Sequence, residues 1–145
     1  MSLEQWTKNG WLRPHKASTQ ETAGLLAIVD RDLKDAEGGV SDDWRFGIAY
    51  NAALKLCTIL LRASGYRPER NLAHYRTLTA LPLILGDARK DDASYLDACR
   101  AKRNTAEYET AGVVTGEDAA ELIAFVKELR QDVIAWLRKN HPELC

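Results

Sequence analysis

The sequence predicts an all-α fold, an up-and-down bundle of four to five helices. Apolar residues recur at three- and four-residue spacing along most of the chain, and helix-capping residues punctuate that rhythm. Strand character is confined to Gly112 to Thr115, too short to seed a sheet. Four long amphipathic segments joined by short connections pack most simply with antiparallel neighbours. At 145 residues the chain forms one domain, residues 1–145.

The elements follow in order. Residues 1–13, carrying Trp6 and Trp11, are expected as a short extra helix. Ser18 with Glu21 three positions on has the capping-box pattern, and Leu25, Ile28, Val29, Leu33 and Ala36 form the apolar stripe of the helix it opens. Gly38 and Gly39 end that helix. Ser41 caps the next, Asp42 and Asp43 complement its dipole, and Phe46, Ala49, Ala53, Leu56 and Leu60 carry it to Gly65. Ala49, Ala52 and Ala53 are small enough to admit a neighbouring helix closely.

Pro68 turns Tyr66 to Arg70 into a predicted loop. Helix resumes near Asn71, and Pro82 implies a kink or two short helices before Gly86-Asp87. Asp91 and Asp92 precede a helix of about 17 residues ending near Glu109. In the last helix Thr115 and Asp118 form a second capping box, Leu122, Val126, Leu129, Val133 and Trp136 make the core stripe, and Asn140-His141-Pro142 ends it.

Composition narrows the function. The chain is 46% hydrophobic and 28% charged, which excludes a disordered or fibrous protein. A net charge of −1 leaves no whole-molecule field for nucleic acid or lipid, so such binding needs a local patch. The longest apolar runs, Ala23 to Val29 and Ala80 to Leu85, predict no membrane span, and Met1 to Leu12 lacks the core of a secretion signal, so a cytoplasmic protein is expected. Cys57, Cys99 and Cys145 have no C-x-x-C spacing; Cys57 and Cys99 read as small buried hydrophobes. No phosphate-loop, dinucleotide or esterase motif occurs, and no His pair or His/Cys/carboxylate cluster points to a metal or other cofactor.

The segment Tyr95 to Glu109 is the most informative. On a helix, Leu96, Cys99 and Ala106 share one apolar face with Arg103 in its middle. A guanidinium aimed at a packing surface must pair with a carboxylate such as Glu107 or line a polar cleft. Arg100, Asn104 and Glu107 neighbour it at three- or four-residue spacing or in sequence. Tyr50 and Tyr108 can bring hydroxyls to the same place. Arg62, Arg67, Arg70, Arg76, Arg100, Lys102 and Arg103 can form a positive rim suited to phosphate, or simply a solvated face. Trp6, Trp11 and Trp44 lie near helix starts, where they can staple ends or subunits. His74 reads as a helix-end or surface residue, and His15 and His141 as solvated terminal ones.

The pattern Ala49-Tyr50-Asn51-Ala52-Ala53, followed by Leu60-Leu61, Gly65 and a later helix with Arg103-Asn104, resembles the higher eukaryotes and prokaryotes nucleotide-binding (HEPN) superfamily. Ser18 to Leu137 fits its order of helices. The resemblance implies a homodimer with paired Arg-x(4 to 6)-His motifs facing an interfacial cleft. Active members cleave RNA without metal, many as toxins paired with a nucleotidyltransferase antitoxin; others bind nucleotides or act as partners. Arg103 and Asn104 match the first half of the motif. Tyr108 stands where the family carries its histidine, and Thr110 where some members carry a tyrosine. Only about 0.1% of an ordinary phenol is ionised at pH 7, so this exchange should remove roughly the 10²- to 10⁴-fold that general acid–base catalysis supplies. The expectation is a cleft binding nucleotide or RNA phosphate without strong catalysis, with Arg103 and Tyr108 as the catalytic pair if activity survives. A metal-independent ribonuclease toxin and a non-catalytic partner-binding bundle are the alternatives.

Overall fold

Side-chain caps set where three of the four long helices begin. In the computed structural model, which describes residues 1–145, Ser18 Oγ accepts from the Glu21 N–H at 3.1 Å and opens α2 (Thr19–Ala36). Ser41 does the same for α3 (Asp42–Ala63) through the Trp44 N–H. Thr115 and Asp118 cap each other reciprocally at the start of α7 (Gly116–Asn140). The Ser18 box is only half formed, because the Glu21 carboxylate turns instead to His15 and Arg62. The fourth long helix, α6 (Lys90–Tyr108), has no side-chain cap; it continues a 3₁₀ turn at Asp87–Arg89, with Asp91 and Asp92 inside its first turn.

Cross-helix contacts give the directions. Asn51 meets Asp32, Arg62 meets Glu21 and Arg45 meets the Ala36 carbonyl, so α2 and α3 are antiparallel. Arg89 pairs with Asp132, Tyr95 packs on Phe125 and Lys102 pairs with Asp118, so α6 and α7 are antiparallel too. Asp30 and Glu37 of α2 pair with Arg130 and Lys127 of α7, which again run in opposite senses. The long helices therefore alternate in direction, and α3 packs against the other three. Its Ala49, Ala52, Ala53, Leu56 and Leu60 are buried, with Val29, Leu96, Leu122, Val126 and Val133 closing the core around them. By length and composition alone α3 is apolar enough to cross a membrane, but most of it is buried inside the fold.

Pro82 divides its region as expected, into α4 (Ala73–Thr79) and α5 (Leu81–Leu85), and Gly86 ends it at φ 111°, a conformation glycine adopts without strain. Cys57 and Cys99 are buried in the core.

Several expectations are corrected. Gly112 to Thr115 forms no strand; the strands are β1 (Leu12–Pro14) and β2 (Tyr66–Pro68), antiparallel with Leu12 opposite Pro68. The N-terminal helix is correspondingly shorter, α1 (Leu3–Lys8). Leu12 is buried with Trp6, Leu61 and Ala80, and this burial holds the ribbon against the bundle. Trp136 is half-buried at the edge of the core, packed against it and tilted against the His141 ring.

Candidate functional site

Four residues of α3, Trp44, Gly47, Ile48 and Asn51, stand at helical spacing on one face of the helix, between α2 and α6. With Asp32 from α2 on one side and Arg103 and Glu107 from α6 on the other, they line an open groove of about 200 Å³. Gly47 allows the walls to close: a Cβ there would meet Glu107 Oε1 at 2.9 Å.

Arg103 lies at the edge of this groove, its side chain 26% exposed. It is neither free in solvent nor sealed in the core. Its Nε is 3.2 Å from Glu107 Oε1, and its Nη1 donates to Asn104 Oδ1 at 3.1 Å. The guanidinium carbon is 5.7 Å from the Tyr50 ring centre and 5.9 Å from that of Tyr108. Two buried donors at this place, Arg103 Nε and the Tyr50 hydroxyl, have no aligned hydrogen-bond partner. Burial pushes the Tyr50 phenol up to about 12 against the opposing pull of Arg100 and Arg103. Tyr50 is therefore a neutral hydroxyl at pH 7, able to donate but not to act as a base.

The structure brings Arg103, Asn104, Glu107 and Tyr50 together. Arg100 is close enough to influence Tyr50 but is tied to Asp97 at 2.8 Å one turn back. Tyr108 does not line the groove: it is 74% exposed at the end of α6. Five residues at 100° each place it about 140° around the helix from Arg103, so it reaches the guanidinium only from the rim.

Of the two readings of the basic residues, a single positive rim is not what the structure shows. Lys102 faces α7 and pairs with Asp118 at 2.7 Å. Arg62 pairs with Glu21, and Arg76 lies 3.7 Å over the Trp11 ring. Arg67 and Arg70 belong to a different cavity, beyond the far end of α3, roughly 24 Å along the helix from Gly47 at 1.5 Å per residue.

The histidines divide differently from expectation. His15 and His141 are not solvated tails; His15, 13% exposed, contacts Glu21 at 2.9 Å, and His141 contacts Glu143. His74 is exposed near the start of α4, as expected, but its surroundings were not foreseen. Partial burial, then the charges of Arg103, Lys55 and Arg100, hold its imidazole below the usual histidine range. Cations from both α3 and α6 thus act on His74 and favour its neutral form.

Asp32, Gly47 and Asn51 were the residues sequence reasoning missed as groove residues. Asp32 carried the same signal as Arg103: it falls inside the Val29, Leu33, Ala36 stripe of α2 and is buried. No three His, Cys, Asp or Glu side chains converge to hold a metal ion. In comparisons with known proteins, no family model, no curated protein and no solved structure matches the chain.

Proposed function

We propose that this is a HEPN-type domain that dimerises over the α3 groove and binds a nucleotide or RNA phosphate there, with Arg103 as the anion-binding group and Asn104, Tyr50 and Tyr108 around it. The observation that carries the reading is Arg103 itself, a half-buried guanidinium at the edge of an open groove whose one acid neighbour, Glu107, lies 3.2 Å from its Nε without an aligned hydrogen bond. A phosphate oxygen is the acceptor that a planar fork of donors suits best. Trp44, 59% exposed, and Tyr108 supply apolar surface beside the groove, as a face covered by a second copy requires. A cytoplasmic setting fits three unpaired thiols. A nucleotidyltransferase antitoxin is the further partner the HEPN resemblance suggests.

The test is titration of nucleotides and short RNAs against wild type and Arg103→Ala, with melting temperature followed in parallel. Binding lost at nearly unchanged melting temperature supports the reading. Binding absent from wild type, with Arg103→Ala melting several degrees lower, would instead make Arg103 and Glu107 an internal ion pair of a partner-binding bundle.

The ribonuclease reading is favoured by one observation, the exposed His74, whose imidazole is held below the usual histidine range by partial burial and then by the charges of Arg103, Lys55 and Arg100. A neutral imidazole can accept a proton from a ribose hydroxyl while arginines hold the phosphate, the division of labour that Tyr108 cannot perform. It requires RNA cleavage by metal-free protein that is lost in both His74→Ala and Arg103→Ala. RNA left intact by the wild type with and without added metal excludes it.

A further inference from the structure

The register of the β ribbon sets two like charges against each other. Arg13 of β1 lies directly opposite Arg67 of β2, while the flanking pairs are Leu12 with Pro68 and Pro14 with Tyr66. Alternation along the strands turns buried Leu12 inward and both arginines outward, on the same face. Like charges directly opposite on a strand pair are destabilising. Arg70, from the turn after β2, converges on the same place.

These three arginines, with Gly10, Pro68, Glu69 and Asn71, line a cavity of about 680 Å³ that has no hydrophobic residue in its wall. Glu69 is its single acid and is engaged by Arg13. Arg67 and Arg70 form no ion pair. The cavity therefore holds two uncompensated positive charges in a molecule whose net charge is −1. Arg76 next to it is matched to the Trp11 face instead of an acid, so it adds to the local positive field and occupies the ring that a base would stack on.

We propose that this arginine cradle binds the sugar–phosphate backbone of a single-stranded nucleic acid, at a site separate from the Arg103 groove. Guanidinium forks match phosphate oxygens in pairs, and phosphates held by Arg67 and Arg70 supply the counter-charge that Glu69, engaged by Arg13, does not give them. The volume is too large for one phosphate and suits successive phosphates of a strand. A wall with no large apolar side chain offers little to lipid chains or to the apolar side chains of a peptide, and Arg76 already lies over the Trp11 ring. Binding is therefore independent of base sequence and steeply salt-dependent.

The experiment is fluorescence anisotropy of a labelled oligouridylate of about a dozen nucleotides, over roughly 50 to 200 mM salt. Wild type is compared with Arg67→Gln/Arg70→Gln and with Arg70→Gln alone, which lies outside the strand pairing and leaves the ribbon untouched. The double variant is expected to bind about tenfold more weakly at low salt, and its plot of log affinity against log salt to be shallower by about 1.4, or about 0.7 per lost phosphate contact. Arg70→Gln alone should show half that change in slope. The melting temperature of the double variant should stay level or rise, because a like-charge pair is gone. Failure of wild type to bind, unchanged affinity and slope in the variants, or displacement of the strand by polyglutamate or by phosphatidylserine vesicles as efficiently as by unlabelled RNA would each overturn the proposal.

Discussion

The Asn51 amide donates to the carboxylate of Asp32 at 2.7 Å, joining α3 to α2 beneath the groove. Asp32 is buried, and its other oxygen is met only by the largely exposed Arg31 at 3.0 Å. A buried carboxylate left without its donor is costly, and a hydrogen bond to a charged group contributes about 1.5–3 kcal/mol. Asn51→Leu is expected to lower the unfolding free energy by about that amount, measured by urea denaturation. A loss below about 0.5 kcal/mol, the ordinary surface range, would mean that Arg31 and solvent satisfy Asp32 alone.

Glu107 competes with any anion for Arg103, since its Oε1 already lies 3.2 Å from the guanidinium. Glu107→Gln keeps the shape and removes the charge. A unit charge about 4 Å away in a watery groove is worth roughly 1 kcal/mol, so pyrophosphate should bind about fivefold more tightly to the variant. Isothermal titration calorimetry reads this directly, and weaker binding would show that Glu107 serves the ligand rather than excluding it.

The Asp118 carboxyl is held below its ordinary value of 3.8 by its hydrogen bond from Lys102 and then by the Thr115 N–H. A depressed acid is protonated less readily in the folded state than in the unfolded one. Its contribution to stability is thus fully present above the unfolded value and fades as pH falls through the lower folded one. Urea midpoints followed from neutral pH down to about pH 2.5 should drop less steeply for Asp118→Asn than for wild type below about pH 4. Thr115→Ala, which removes the other half of the cap, should cost about 1 kcal/mol at neutral pH.

His74 has the opposite chemistry and a different window. Burial and the charges of Arg103, Lys55 and Arg100 lower its folded value from 6.5, so the unfolded chain takes up the proton first as pH falls. Stability is expected to decline from about pH 6.5 downward until the folded imidazole is also charged, and His74→Ala should lose that dependence. Imidazole NMR should also show His74 titrating higher in Arg103→Gln, and higher still in wild type with pyrophosphate bound. No change in either case would separate His74 from the groove.

The helices were legible from the sequence because helix formation depends on residues within about four positions of one another. Ser18, Ser41 and Thr115 cap helices through donors three residues away, and the stripe of α7 is a property of spacing alone. Arg103 was legible for the same reason: its angle on α6 places it among Leu96 and Cys99 whatever surrounds the helix. Asp32 could have been found by that logic on α2. Tyr108 stands at the motif position, but its helical angle turns it from the groove to the rim, 5.9 Å from the Arg103 guanidinium.

The helical class, the caps and the anomalous arginine are set by short-range geometry along the chain. The pairing of Leu12 with Pro68, the gathering of Arg13, Arg67 and Arg70 in one cavity, and the action of α3 and α6 cations on His74 arise from long-range packing. These relationships join residues far apart in the chain. They exist because burying Leu12 and the apolar face of α3 closes those loops, and the polar side chains attached to the same elements are carried along.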